Sequence, residues 1–259
     1  MTMIDTGEAR IHCRWDALHD GPPLVLAHSL GTSLDMWWPQ VEPFCARFRV
    51  LRYDSRGHGA SSVPPGPYTI AQLGTDVLRV LDAHRIERAH FCGLSMGGAV
   101  GIWLGAHAPD RVDRLVLSNT SAWFGPPDAM NARIEQVRRE GMVAVVEPTL
   151  ERWFNPAFRA ARPADVQRIR EQVLATAVEG YAGCCAAIRD LDLRAELGRI
   201  RAPSLVVAGS DDPSSSPAAA LAMAAAIPGA RCIELPAAHL ANLGAVQAFN
   251  AAVLGFLEA

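Results

Sequence analysis

The chain has 259 residues, half of them hydrophobic, with 24 cationic and 27 acidic side chains and a formal net charge of −3. This length suits one α/β domain with an insertion, and the composition supports a sizeable core. The absence of a basic tract argues against nucleic acid and membrane surfaces as partners. The first residues contain no charged segment followed by an apolar stretch, and no apolar run reaches the ~20 residues of a bilayer span, so we expect a cytoplasmic protein.

Short apolar runs alternate with segments of helical periodicity along most of the chain. An early strand pair is predicted within residues 9–17. Further strands are predicted at 24–27, 48–54, 88–92, 114–118, 204–208 and 231–235, and helices at 69–84, 98–104, 218–227 and 246–257. This alternation predicts an α/β fold in which helices cover both faces of a mostly parallel, doubly wound sheet.

The alternation of strands and helices breaks between Ala122 and Arg189. This stretch is rich in arginine and glutamate, has helical periodicity and contains no strand pattern. We expect a helical lid at 122–189, inserted into a core formed by 1–121 and 190–259. Ordinary crossover helices are the alternative, but the length of the stretch argues against them.

The segment Gly93-Leu94-Ser95-Met96-Gly97 fits the G-x-S-x-G nucleophile elbow, between a predicted strand and a predicted helix. The turn must be tight, so a side chain at Gly93 or Gly97 is expected to collide with its neighbours. Such a turn holds the serine hydroxyl above the strand ends, at a helix N-terminus that stabilises negative charge. Ser95 is therefore the candidate nucleophile.

A serine nucleophile needs a base to take its proton and an acid to orient that base. In this type of fold the acid follows the serine in the chain, and the histidine base follows the acid. Of eight histidines, His239 follows the last predicted strand and is the candidate base. Asp211 and Asp212 follow the strand at 204–208. The common G-x-x-D spacing selects Asp212, which leaves Asp211 as a solvated or helix-capping residue. His28 and His58 are expected to organise loops, with substrate contact as the alternative.

Acyl transfer also requires hydrogen-bond donors directed at the developing oxyanion. The backbone N–H of Met96, the residue after the nucleophile, is the first candidate. The second candidate is the N–H of Leu30, in the His28-Ser29-Leu30-Gly31 loop after the strand at 24–27.

The sequence contains no pattern that indicates a metal site or a covalently bound cofactor. All 24 cationic side chains are arginines, which excludes lysine Schiff-base chemistry. The six cysteines match no zinc-ligand spacing. We expect no metal and no cofactor.

Several stretches together resemble the 3-oxoadipate enol-lactonases of the α/β-hydrolase superfamily. They are H-S-L-G-T-S at 28–33, M-W-W-P-Q at 36–40, R-Y-D-S-R-G-H-G-A-S at 52–61, G-P-Y-T-I at 66–70, H-F-C-G-L-S-M-G-G at 90–98, L-V-L-S-N-T at 115–120, R-W-F at 152–154 and L-P-A-A-H-L at 235–240. The resemblance runs from about residue 10 to the C-terminus.

This resemblance implies a cofactor-free serine hydrolase of aromatic catabolism that opens an enol-lactone bearing a carboxylate, through an acyl-enzyme. Arg133 is the first candidate to bind that carboxylate, and Arg152 is a second. Trp153 and Trp123 are candidates for the pocket wall, although Trp153 also fits a role in the lid core. A general carboxylesterase or perhydrolase, or a ligand sensor of the same fold, are the alternative functions.

Overall fold

A computed structural model describes residues 2–16 and 20–259. Within this part of the chain, eight strands form one sheet in the order β1-β2-β4-β3-β5-β6-β7-β8, with antiparallel pairing for β1–β2 and β2–β4 and parallel pairing elsewhere. The strands are β1 (Thr2–Asp5), β2 (Arg10–Trp15), β3 (Pro23–Ala27), β4 (Arg49–Tyr53), β5 (Ala89–Leu94), β6 (Val112–Ser118), β7 (Ser204–Gly209) and β8 (Arg231–Leu235).

The central strands are buried because helices cover both faces of the sheet. Every residue of β5 and of β7 is buried. Strands that are buried on both faces read as continuous apolar runs rather than as alternating patterns. This is why the sequence located β3 to β7 within a residue or two. The prediction also found β8, although that edge strand is only partly buried.

The antiparallel edge differs from the prediction. The predicted strand pair at 9–17 is found as β1 and β2, so the first strand lies earlier in the chain, and residue 17 is outside the described residues. Three of the four residues of β1 are exposed. An exposed edge strand of this kind carries no apolar run by which a sequence pattern could locate it.

Six helices belong to the layers that pack on the sheet. They are α1 (Trp38–Cys45), α2 (Ile70–Ala83), α3 (Met96–His107), α9 (Pro217–Ala226), α10 (Ala241–Gly244) and α11 (Val246–Leu257). The predicted helix at 69–84 is α2, with Thr69 as its N-cap in a capping box with Gln72. Short 3₁₀ helices lie at Leu34–Trp37, Pro109–Arg111 and Arg194–Arg199.

Five helices lie between β6 and β7, and we call them the inserted helices. They are α4 (Asp128–Glu140), α5 (Val143–Trp153), α6 (Pro156–Ala161), α7 (Pro163–Ala175) and α8 (Val178–Arg189). Helix α8 touches the loop after β4 so closely that a Cβ atom on Gly57 would lie 2.5 Å from the Cα of Gly180. This backbone contact brings α8 over the carboxyl ends of the strands.

None of the helices in the described ranges has the length and apolar character needed to cross a lipid bilayer.

Candidate active site

Ser95 lies at the junction of β5 and α3, with φ 57° and ψ −115°. A positive φ is uncommon for a residue with a side chain and is strained unless its surroundings impose it. The two flanking glycines allow this turn. A Cβ on Gly93 would lie 2.2 Å from the carbonyl oxygen of Gly97, and a Cβ on Gly97 would lie 2.2 Å from that of Ala27. The expected collisions at both glycines are therefore confirmed.

Ser95, His239 and Asp212 meet at the carboxyl ends of β5, β8 and β7. The Nε2 atom of His239 lies 2.9 Å from Ser95 Oγ, and its Nδ1 lies 3.0 Å and 2.9 Å from the two carboxylate oxygens of Asp212. All three residues are buried. The Asp212 carboxylate accepts a hydrogen bond from the Nδ1–H of His239, so the neutral imidazole presents its unprotonated Nε2 to the Ser95 hydroxyl.

The carboxylate of Asp212 is surrounded by donors. It accepts hydrogen bonds from Ser215 Oγ at 2.6 Å, Asn119 Nδ2 at 3.1 Å and the Ser214 N–H at 2.8 Å. Burial on its own would raise the pKa of Asp212, but the hydrogen bonds and the charge of His239 outweigh it and lower that pKa. The acid therefore stays ionised beside His239. The sequence motifs did not indicate Asn119 or Ser215, because neither belongs to a catalytic pattern.

Asp211 points away from this cluster. It is exposed and accepts a hydrogen bond from Asn155 Nδ2 at 3.0 Å. Adjacent loop residues direct their side chains apart, so the two aspartates have different surroundings. Of the two acids that the sequence offered, Asp212 is the one in contact with His239.

The two candidate oxyanion donors are the backbone N–H groups of Leu30, which lines the cavity with Ser95, and of Met96, the first residue of α3. The Gly97 N–H donates to the carbonyl oxygen of His28 at 3.1 Å, which holds the first turn of α3 against the loop after β3. Within the described ranges, neither the Leu30 nor the Met96 N–H donates a hydrogen bond to the protein. Both N–H groups are therefore free to donate to a ligand.

A cavity of about 230 Å³ lies above Ser95 and His239. Pockets for drug-sized ligands typically measure 300–1,000 Å³, so this one suits a small substrate. Its walls come from the loop after β3, the loop after β7 and the inserted helices. The remaining lining residues are Ser29, Leu30, Phe124, Met130, Arg133, Thr149, Arg152, Trp153, Tyr181, Ile188, Pro213 and Ser214.

Arg133 and Arg152 both line this cavity, and both are half-buried. Among the described residues, no carboxylate lies within salt-bridge distance of either guanidinium, and Arg152 donates to Thr149 Oγ1 at 3.1 Å. Burial, followed by the nearby charge of Arg133, lowers the pKa of Arg152. Two neighbouring cations with no carboxylate of the described chain at salt-bridge distance make this end of the cavity a candidate site for an anionic group.

The two candidate tryptophans are in different places. Trp153 is buried, lines the cavity and stacks on the imidazole of His239, with ring centroids 6.2 Å apart. Trp123 is 40% exposed, outside the cavity, and lies beneath the guanidinium of Arg194. The expectation that Trp123 forms part of the pocket wall is therefore wrong.

The other histidines that the structure describes contact groups other than Ser95. His28 and His58 bind backbone groups of the loops around the site, as expected. The remaining described histidines contact other groups, namely Asp54 for His12, Trp15 for His84, Asp113 for His90 and Glu196 for His107, while His19 lies outside the described residues. Among the residues that the structure covers, no cluster of His, Cys, Asp and Glu is arranged to hold a metal ion.

The site thus has a serine in a strand–turn–helix elbow, with a histidine and an acid that follow later strands. We compared the chain with known protein families on this basis. A family model described as the alpha/beta hydrolase fold matches residues 22–245. The chain belongs to the α/β-hydrolase family. The predicted fold class is thereby confirmed.

Several α/β-hydrolases resemble this chain in sequence as well as in fold. The 3-oxoadipate enol-lactonase 2 of Acinetobacter baylyi is 42% identical over 234 residues, which cover 90% of this chain and 88% of that protein. The crystal structure of the enol-lactonase from Burkholderia xenovorans is 43% identical, with a TM-score of 0.98 and full coverage of both chains. A hydrolase from Pseudomonas aeruginosa is 49% identical, with a TM-score of 0.97 and coverage of 100% and 98%. The resemblance to enol-lactonases is confirmed.

Proposed function

We propose that the protein is a serine hydrolase that opens the ring of 3-oxoadipate enol-lactone and releases 3-oxoadipate through an acyl-enzyme. The observation that carries this proposal is the cavity above Ser95, because it combines a serine–histidine contact of 2.9 Å with two arginines that have no carboxylate at salt-bridge distance among the described residues. A small lactone with a carboxylate matches both features. The similarity to two enol-lactonases supports the same substrate.

In the first half of the reaction, Ser95 Oγ attacks the lactone carbonyl while His239 Nε2 takes the hydroxyl proton. Asp212 holds the imidazole in the required tautomer and stabilises the imidazolium without being protonated itself. The Leu30 and Met96 N–H groups bind the oxyanion of the tetrahedral intermediate. When the intermediate collapses, the ring C–O bond breaks and the enolate oxygen leaves.

In the second half, the opened chain remains attached to Ser95 as an ester. His239 gives its proton to the enolate, which is a stable anion and needs little acid help, and the enol tautomerises to the ketone. His239 then activates a water molecule that attacks the acyl-enzyme. Ser95 regains its proton as 3-oxoadipate leaves with a second carboxylate.

We assign the substrate carboxylate to Arg133, with Arg152 as a second cation beside it. A guanidinium binds a carboxylate with two parallel hydrogen bonds, which orients the ligand as well as attracting it. Trp153 forms the apolar wall next to His239. We also propose that residues 122–189 act as the lid that selects the acyl group, since Arg133, Arg152 and Trp153 all belong to the inserted helices.

The substrate assignment is tested by ultraviolet turnover of 3-oxoadipate enol-lactone beside p-nitrophenyl acetate. We expect many turnovers of the lactone per enzyme, with a higher kcat/KM than for the aryl ester, and loss of both activities in Ser95→Ala. Turnover of the aryl ester alone would instead identify a general carboxylesterase. Near-stoichiometric product from both substrates would identify a ligand sensor.

The arginine assignment makes a separate prediction for Arg133→Met and Arg152→Met. A hydrogen bond to a charged group contributes about 1.5–3 kcal/mol, so we expect the KM for the enol-lactone to rise roughly 10–100-fold in Arg133→Met, and less in Arg152→Met. The KM for the neutral p-nitrophenyl acetate should change less than twofold. Arg138→Met is the control, because Arg138 is on α4 but pairs with Glu179 at the surface. Equal changes for both substrates would contradict the assignment.

A further inference from the structure

The carbonyl oxygen of Ser29, in the loop after β3, accepts three hydrogen bonds. The donors are His28 Nδ1 at 2.8 Å, Thr32 Oγ1 at 2.8 Å and the Thr32 N–H at 3.2 Å. Ser29, His28 and Thr32 are all buried. A single turn hydrogen bond would close this loop, so the two side-chain donors do more than the chain reversal needs.

The Ser29 carbonyl shares one peptide unit with the Leu30 N–H. A trans peptide is planar, and its C=O and N–H bonds point in opposite directions. Any contact that fixes the Ser29 oxygen therefore also fixes the direction of the Leu30 N–H. That N–H is one of the two candidate oxyanion donors, and its own side of the peptide has no partner in the described chain.

The next peptide unit is held as well. The Gly31 N–H donates to His58 Nε2 at 2.8 Å, and His58 Nδ1 lies 3.3 Å from the Arg56 carbonyl oxygen. These contacts require a neutral imidazole with its proton on Nδ1. Gly31 has φ +77°, a conformation that favours glycine at the third position of a turn. Leu30 is thus held between two restrained peptide units.

We propose that Thr32 is a positioning residue for catalysis, whose hydroxyl holds the Ser29 carbonyl and so directs the Leu30 N–H at the transition-state oxyanion. His28 assists from the same side and His58 supports the following peptide. An oxyanion-hole donor must lie 2.7–3.1 Å from the oxyanion. A small rotation of the peptide therefore weakens the hydrogen bond to the transition-state oxyanion more than the hydrogen bond to the ground-state carbonyl oxygen. This inference rests on the acyl-transfer part of the proposed function and not on the identity of the lactone.

The test compares Thr32→Val, which keeps the shape and removes the hydroxyl, with Thr32→Ser, which keeps the hydroxyl. With p-nitrophenyl acetate we expect Thr32→Val to lower kcat about tenfold with KM within twofold, and Thr32→Ser to recover at least half of the wild-type kcat. The control is Ser204→Ala. Ser204 also donates a buried hydroxyl to a backbone carbonyl, that of Ala202 at 2.8 Å, but at the far end of β7.

Binding of phenylboronic acid, measured by calorimetry, is a second readout that needs no turnover. Its tetrahedral adduct with Ser95 places an oxygen in the oxyanion hole, so we expect its Kd to rise about tenfold in Thr32→Val and to stay within twofold in Ser204→Ala. The proposal is overturned if Thr32→Val keeps wild-type kcat and boronate affinity, or if Thr32→Ser fails to restore them. A wild-type enzyme that hydrolyses the aryl ester but not the lactone would refute the lactone assignment and leave this test intact.

Discussion

Asp211 and Asp212 are neighbours in the chain but differ in every contact. Asp212 is buried among His239, Ser215 and Asn119, whereas Asp211 is exposed and bonded to Asn155. A catalytic role for an acid depends on these surroundings, because an ionised, oriented carboxylate is needed to stabilise the imidazolium. The pair therefore offers a matched comparison at one site.

Asp212→Asn is expected to lower kcat by about 10⁴, the loss typical of a triad acid replaced by its amide, because the amide favours the wrong imidazole tautomer. Asp211→Asn should keep kcat within about twofold. Steady-state hydrolysis of p-nitrophenyl acetate measures both variants. Comparable losses in the two would show that His239 does not depend on Asp212 in particular.

The elbow between β5 and α3 is a single packing unit. Gly93 lies against Gly97, and Gly97 lies against the backbone of β3, so the first turn of α3 sits directly on the sheet. This close approach brings the helix N-terminus and the Met96 N–H beside Ser95. Both the candidate nucleophile and one candidate oxyanion donor thus depend on the absence of side chains at Gly93 and Gly97.

Gly97→Ala is expected to reduce activity more than 100-fold and to lower the free energy of unfolding by roughly 1–3 kcal/mol or more, since its Cβ would overlap the Ala27 carbonyl. Gly255→Ala is the control. Gly255 lies in α11, where a Cβ would meet nothing within 4 Å, so alanine should stabilise the fold by about 0.4–1 kcal/mol. Thermal unfolding and ester hydrolysis test the pair, and wild-type activity in Gly97→Ala would contradict it.

At the level of the whole molecule, the parallel sheet gathers the site from distant parts of the chain. Ser95 and His239 are 144 residues apart in sequence. Their loops meet because β5 and β8 belong to the same parallel part of the sheet, so that the carboxyl ends of both strands lie at one edge. The same edge contains His28 and His58, both fully buried. Burial lowers the pKa of His28, and it lowers the pKa of His58 to about 3.

These histidines predict a loss of stability in acid. The folded chain keeps both histidines neutral, while the unfolded chain binds protons near pH 6.5. For His58, the unfolded state therefore holds more protons between about pH 6.5 and 3, and stability falls as the pH falls through this window. The lowered pKa of His28 acts in the same direction. Each contributes at most about 1.4 kcal/mol per pH unit. Urea unfolding at pH 7 and pH 5 should show a lower midpoint at pH 5. The difference between the two midpoints should be smaller in His58→Gln. A difference as large as in the wild type would show that the buried His58 is not the cause of the acid sensitivity.

Local patterns in the sequence were sufficient to predict the fold class, the elbow and the loops that contain the candidate acid and histidine. Buried parallel strands are continuous apolar runs, the elbow is a contiguous pentapeptide, and the acid and histidine loops follow identifiable strands. The position of the exposed strand β1 was not predicted correctly, because this strand contains no long apolar run. These features depend on residues that are close together in the chain, which is why periodicity and motif spacing could locate them.

Only the tertiary structure decided which side chains converge. It placed Trp153, and not Trp123, against His239, brought Arg152 beside Arg133, and surrounded Asp212 with Asn119 and Ser215. It also showed Thr32 bonded to the peptide that contains the Leu30 N–H. The direction of a side chain in a loop or an inserted helix depends on packing between elements that are far apart in sequence, and no local pattern records that packing.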